Sequence, residues 1–204
     1  ILGNLYDFHP DTDSVSDDQL QELDRWALAR MDQVAGECRK AYDNFEFHLV
    51  YYAIRNFCTI DLSNFYLDII KDRLYCDETD GLARRSAQTA LYLILDAMTR
   101  MFAPILAFTC DEIWLAMPHK AGDDDRNVLF NDMNGVFADY ALSADEMAKW
   151  EKIIEVRDAV NGALETARAE KKIGKSLEAD VHLTVPESDR FFACLLYTSD
   201  AADD

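Results

Sequence analysis

The apolar residues of this chain recur at three- and four-residue steps over long stretches, and that spacing leaves little but a bundle of α-helices. Leu20, Leu23, Ala27, Met31, Val34, Cys38 and Tyr42 lie on one face of a first helix. Ser16-Asp17-Asp18-Gln19 before it has the form of a capping box, which places the helix start near Ser16, and Asp43-Asn44 ends it. A second helix is expected from about Glu46 to Arg73, on a stripe of Phe47, Val50, Tyr51, Ile54, Cys58, Leu62, Phe65 and Ile69. Phe57, Tyr66 and Ile70 widen that stripe, so it should meet more than one neighbour.

A third helix is expected from about Asp80 to Phe102, where Pro104 forces a break because it has no backbone donor. Ile105 to Met117 reads as a short helix with Trp114 inside, and 118–142 as a polar, irregular connection. Ser143-Ala144-Asp145-Glu146 is a second capping box. It opens a helix to about Arg168 with Met147, Trp150, Ile154, Val160, Leu164 and Ala167 inward. Alternation over Ala179–Val185 predicts a half-buried strand. The expected fold is mainly α: four to five long helices over 1–173, then the start of a small α/β appendage at 174–194. Residues 195–204 are a poor continuation, either a shortened native segment or a foreign tail.

Half of the 204 residues are hydrophobic, enough for a large core and too many for a disordered chain. No apolar run reaches the roughly 18–20 residues of a membrane span. The five cysteines lie at least eighteen residues apart, so zinc-ribbon spacing is missing and reduced thiols in a cytoplasmic protein are expected. The four histidines are scattered, and no metal site is expected. The sequence holds no P-loop, no Gly-x-Gly-x-x-Gly and no serine in an elbow context, so no catalysis and no cofactor are expected within these residues.

The formal net charge of −19 argues against non-specific contact with polyanions. Its distribution is uneven. Seven carboxylates and no Lys or Arg lie between Asp7 and Asp24, whereas Arg168 to Lys175 holds four cations against Glu170.

The candidate contact residues fall in three groups. Lys71, Arg73 and Tyr75 sit at a helix end, where two cations and an aromatic ring can meet phosphate and a base. The competing use is pairing with Asp68 or Asp72 and with the helix dipole. Arg84, Arg85 and Gln88 open the third helix and suit phosphate or base edges, or else pair with Asp80 and Glu78. Arg168, Lys171, Lys172 and Lys175 flank Gly174, as phosphate contacts or a solvated helix end.

Four ordered blocks carry a resemblance: Tyr66 to Tyr75, Arg84 to Leu91, Met101-Phe102-Ala103-Pro104-Ile105, and Lys172 to Ala179, with Leu2-Gly3-Asn4-Leu5 and Leu23-Asp24-Arg25-Trp26 before them. Together they resemble the anticodon-binding region of the isoleucyl-tRNA synthetase family, a class I aminoacyl-tRNA synthetase. The valine, leucine and methionine synthetases share the helical fold and the phrase from Pro104 to Trp114; the blocks at 71–75, 84–88 and 174–179 are isoleucine-like.

The resemblance implies a parent enzyme that joins isoleucine to its tRNA with ATP and Mg, acting as a cytoplasmic monomer. In many bacterial members a zinc module closes the chain. It also implies that this chain, which opens at Ile1, is a fragment whose catalytic and editing domains lie elsewhere in the parent. Its partners would then be isoleucine tRNA and the parent's catalytic domain, with no membrane. The alternatives are the anticodon-binding domain of a valine, leucine or methionine synthetase or, from another class, an acidic helical scaffold for basic protein partners.

Overall fold

A computed structural model describes residues 1–133, 140–175 and 178–184. Its contacts divide the chain into two units, 1–147 and 148–204. The expected boundary near 174 falls inside the second.

The first unit is helical. A 3₁₀ turn at Leu2–Leu5 leads to α1 (Pro10–Asp13) and a second 3₁₀ turn at Asp17–Gln19. The capping box is present: the Ser16 backbone N–H donates to the Gln19 side chain at 3.3 Å. It opens only that turn, because Leu20 is extended, and α2 runs Glu22–Asp43. The second expected helix is not a single element. α3 (Phe47–Asn56) passes into a π-helical stretch, Phe57–Tyr66, then α4 (Leu67–Ile69) and α5 (Lys71–Cys76). Bonding to the fifth residue widens the turn and brings Phe57 and Leu62 onto one buried face.

α6 (Leu82–Phe102) is the central helix, buried on nearly every side, and packs on α2, α5 and α7 (Ala107–Ala116). Tyr92, Ile94 and Leu91 are sealed within it, and Trp26 meets Phe65 edge-on at 4.9 Å. The Tyr42 hydroxyl donates to the Met101 carbonyl at 2.7 Å, so the C-terminal ends of α2 and α6 lie together. A 3₁₀ turn at Val128–Phe130 interrupts the polar connection after α7. Arg100, on α6, lies between Asp96 at 2.8 Å and Asp123 at 2.7 Å and stacks 4.7 Å over Trp114, tying that connection to the core.

α8 (Ala144–Ala169) carries the second capping box, where the Ser143 N–H donates to Glu146 at 2.8 Å. None of its residues is buried. Met147, Trp150, Ile154, Val160, Leu164 and Ala167, expected inside, are half-buried, and Trp150 is not a core residue as Trp26 and Trp114 are. The strand is corrected as well. Residues 179–184 are irregular, with Val181 and Leu183 half exposed, and a strand needs a hydrogen-bonding neighbour, of which the described residues offer none. Val185 and the tail at 195–204 lie outside the described residues.

Candidate nucleic-acid interface

Asp24 is fully buried in the first turns of α2. A carboxylate there is tolerable only if its lone pairs are filled. Arg73 reaches it from α5 through both terminal nitrogens, at 2.9 and 3.0 Å. The Tyr66 hydroxyl donates to it at 2.7 Å, and Ser86 on α6 donates from the other side. Burial first, then the adjacent Asp24 charge, pushes the Tyr66 hydroxyl well above the usual tyrosine range. Arg73 therefore joins α2 to α5.

A second network lies beside the first. Arg84 meets Asp7 at 2.8 Å and donates to the carbonyls of Leu74 at 3.2 Å and Thr79 at 2.8 Å. The Gln88 amide donates to the Asn4 carbonyl and to Asp7, both at 2.9 Å. Arg85 donates to the Asp7 carbonyl at 3.0 Å, to Gln88 at 2.9 Å and to Asp80 at 2.7 Å. Burial alone would raise Asp7, but hydrogen bonds from Arg84 and Gln88 and the charges of Arg84 and Arg85 leave it below the ordinary carboxylate value.

Arg73, Arg84, Arg85 and Gln88 thus come together, but they face the protein. Arg84 is 5% exposed and Gln88 is sealed. Their donors hold residues 4–13 and α5 against α6, and they present no basic surface. Neither Asp24 nor Asp7 was among the expected site residues.

The outward-facing members of the expected set are fewer. The Lys71 side chain is 60% exposed and pairs with Asp68 at 2.7 Å. Tyr75 is 72% exposed, and its hydroxyl donates to Asn4 at 3.2 Å. Tyr6, which sequence reasoning passed over, is 82% exposed and interacts with Arg84. One cation and two open rings therefore rim the arginine networks.

In the second unit Arg168 pairs with Glu165, and Lys172 with Glu170 at 2.6 Å. Lys171 has a left-handed backbone (φ 57°) and closes α8: its N–H donates to Arg168 and that of Lys172 to Ala167, both at 2.9 Å. Beyond it the N–H groups of Gly174 and Lys175 donate to the Glu178 carboxylate at 2.8 and 3.2 Å, which lowers its pKa. Successive backbone donors of this kind suit any oxyanion.

Among the described residues no group of three or more His, Cys, Asp or Glu side chains could hold a metal ion, and no helix is long and apolar enough to cross a membrane.

Comparison with known proteins bears on what this surface meets. Residues 24–183 match the model of the anticodon-binding domain of tRNA ligase. An isoleucine–tRNA ligase of Syntrophotalea carbinolica is 50% identical over 186 residues, 91% of this chain and 20% of that protein. Those of Coxiella burnetii and Desulforamulus reducens are 49% and 50% identical over 92% and 91% of this chain. The chain spans about one fifth of the length of these relatives. Helical fold, matched span and the ordered blocks agree, and the chain belongs to the anticodon-binding domain family of tRNA ligases.

Proposed function

We propose that this chain is the part of an isoleucine–tRNA ligase that holds the anticodon arm of isoleucine tRNA, and that it performs no chemistry itself. The observation that carries the reading is identity near 50% to isoleucine–tRNA ligases across nine tenths of the chain, on top of the family match. Joining isoleucine to tRNA with ATP and Mg then falls to the rest of the parent. Recognition here acts on that remote reaction by fixing where the acceptor end lies. The parent works as a monomer in the cytoplasm, and the catalytic domain is this chain's second partner.

The contacts divide by exposure. Lys71, Tyr75 and Tyr6 meet RNA directly in the first unit; Arg168, Lys171, Lys172 and Lys175 supply positive charge in the second. Arg73, Arg84, Arg85 and Gln88 position the first set, since their donors are already used. With a net charge of −19, such binding depends on the few open cations and on ring stacking.

Titration of the chain with isoleucine tRNA at two salt concentrations tests this. Lys71→Ala should weaken binding and reduce the salt slope by about 1, as loss of one phosphate contact does. Tyr75→Ala should weaken binding with an unchanged slope. A folded chain that binds this tRNA no better than an unrelated RNA would overturn the reading.

A further inference from the structure

The end of α2 breaks a local rule. Asp43 is its last residue, Asn44 caps it, and Phe45 follows with a left-handed backbone (φ 59°). The Phe45 N–H donates to Tyr42 at 3.0 Å and the Glu46 N–H to Ala41 at 2.7 Å, the paired bonds of a Schellman cap. That position favours glycine, because a Cβ is strained there. A phenylalanine meets the strain and then gains nothing by burial, since its ring is 79% exposed. Phe47 stands beside it, half exposed, with ring centres 6.3 Å apart and nearly perpendicular planes. Tyr42 braces Phe47 from below at 5.9 Å. Local conflicts of this kind gather at functional positions.

Beside this turn a groove of about 390 Å³ opens between α2 and α3, lined by Lys40, Asn44, Leu49, Tyr52 and Asn56 together with the carboxylates of Glu37 and Glu46. The Asn44 and Asn56 amides and the Tyr52 ring suit the edge and face of a nucleobase, which carries no charge for Glu37 and Glu46 to repel. The wider charge is more balanced here than at the other end of α2. Residues 37–56 hold three Lys or Arg and three carboxylates, whereas residues 7–24 hold seven carboxylates and no Lys or Arg. Residues 25–36 of α2 separate these regions by about 18 Å. A polyanion meets less repulsion at the second end, where cations balance carboxylates, than at the first, where contact depends on Lys71 and the open rings.

We propose that Phe45, supported by Phe47, is the platform on which an unpaired base of the RNA loop stacks, and that the adjoining groove takes a neighbouring base. The proposal rests on the anticodon-arm reading and names the surface that meets single-stranded loop nucleotides.

The test uses the whole chain and a stem-loop RNA with the loop sequence of isoleucine tRNA and a fluorescent purine analogue in the loop. Phe45→Gly removes the ring and relieves the backbone, so it separates folding from binding. The expected result is a melting temperature unchanged or raised by about 2–4 °C. Affinity should fall roughly 5- to 150-fold. Quenching of the analogue should be lost, and Phe45→Trp should keep both binding and quenching. If Phe45→Gly binds and quenches like the parent chain while Lys71→Ala weakens binding, the platform is refuted and the anticodon-arm reading stands. If the unaltered chain does not bind the stem-loop, both fall. If Phe45→Gly leaves RNA binding intact but weakens association with the parent's catalytic portion, the rings are a protein interface and the proposal is overturned.

Discussion

Asp24 and Arg73 show how a residue suited to RNA contact becomes a structural one. Each is charged, each lies in a helical turn, and their pairing is shielded from water on nearly every side. Removing one partner strands the other, so Asp24→Ala should cost about 3–5 kcal/mol in denaturant unfolding. Asp7 gives a prediction in pH. Its folded pKa lies below the ordinary 3.8, so its contribution is complete above that value and disappears as pH falls through the folded pKa. Asp13 shifts the same way, chiefly through the His9 backbone N–H, so acid should release the segment they anchor. Asp7→Asn should lower stability at neutral pH and flatten the loss below about pH 4, read from melting temperature against pH. A signal for this was present in the spacing but was not the one followed: Arg84 and Gln88 were expected as contacts, and Asp24 lay outside the stripe through Leu20, Leu23, Ala27 and Met31. Asp24, Leu28, Met31 and Ala35 share a helical face, as do Arg84, Gln88, Leu91 and Leu95, so spacing put these polar groups on buried stripes. Their partners were not legible, because Asp7 meets Arg84 across 77 positions of sequence and no local pattern encodes that pairing.

At the scale of elements, periodicity and capping chemistry located the helices because both are local. α6 begins after Gly81 and ends just before Pro104, and α8 begins at the second capping box, as read from the sequence. The π-helical stretch was invisible, since a wide apolar stripe is equally compatible with an α-helix packed on two neighbours. The strand failed for a different reason: alternation describes a pleated surface but says nothing about a pairing partner. The polar connection after α7 was read as irregular, yet Arg100 anchors it. Arg100→Ala leaves Asp96 and Asp123 facing each other inside the protein, where burial already raises the Asp96 carboxyl. A loss of about 3–5 kcal/mol is expected, with faster amide exchange at 120–131 than in α2.

For the molecule as a whole, Arg73, Arg84, Arg85 and Arg100 are turned inward against carboxylates, Arg25, Arg39, Arg55 and Arg126 stay exposed, and the balance of the chain is strongly acidic. Such a surface disfavours polyanions in general, so the proposed affinity for one RNA rests on a few open cations and exposed rings in the right places. The fold and the family were legible from ordered sequence blocks. Which side chains face outward was not, because exposure is decided by long-range packing. The most direct measurement is the affinity of the 204-residue chain for isoleucine tRNA against the same tRNA with its anticodon replaced. Tighter binding of the native anticodon, weakening as salt rises, is the predicted result. Equal affinity for the two tRNAs by a folded chain would contradict the account.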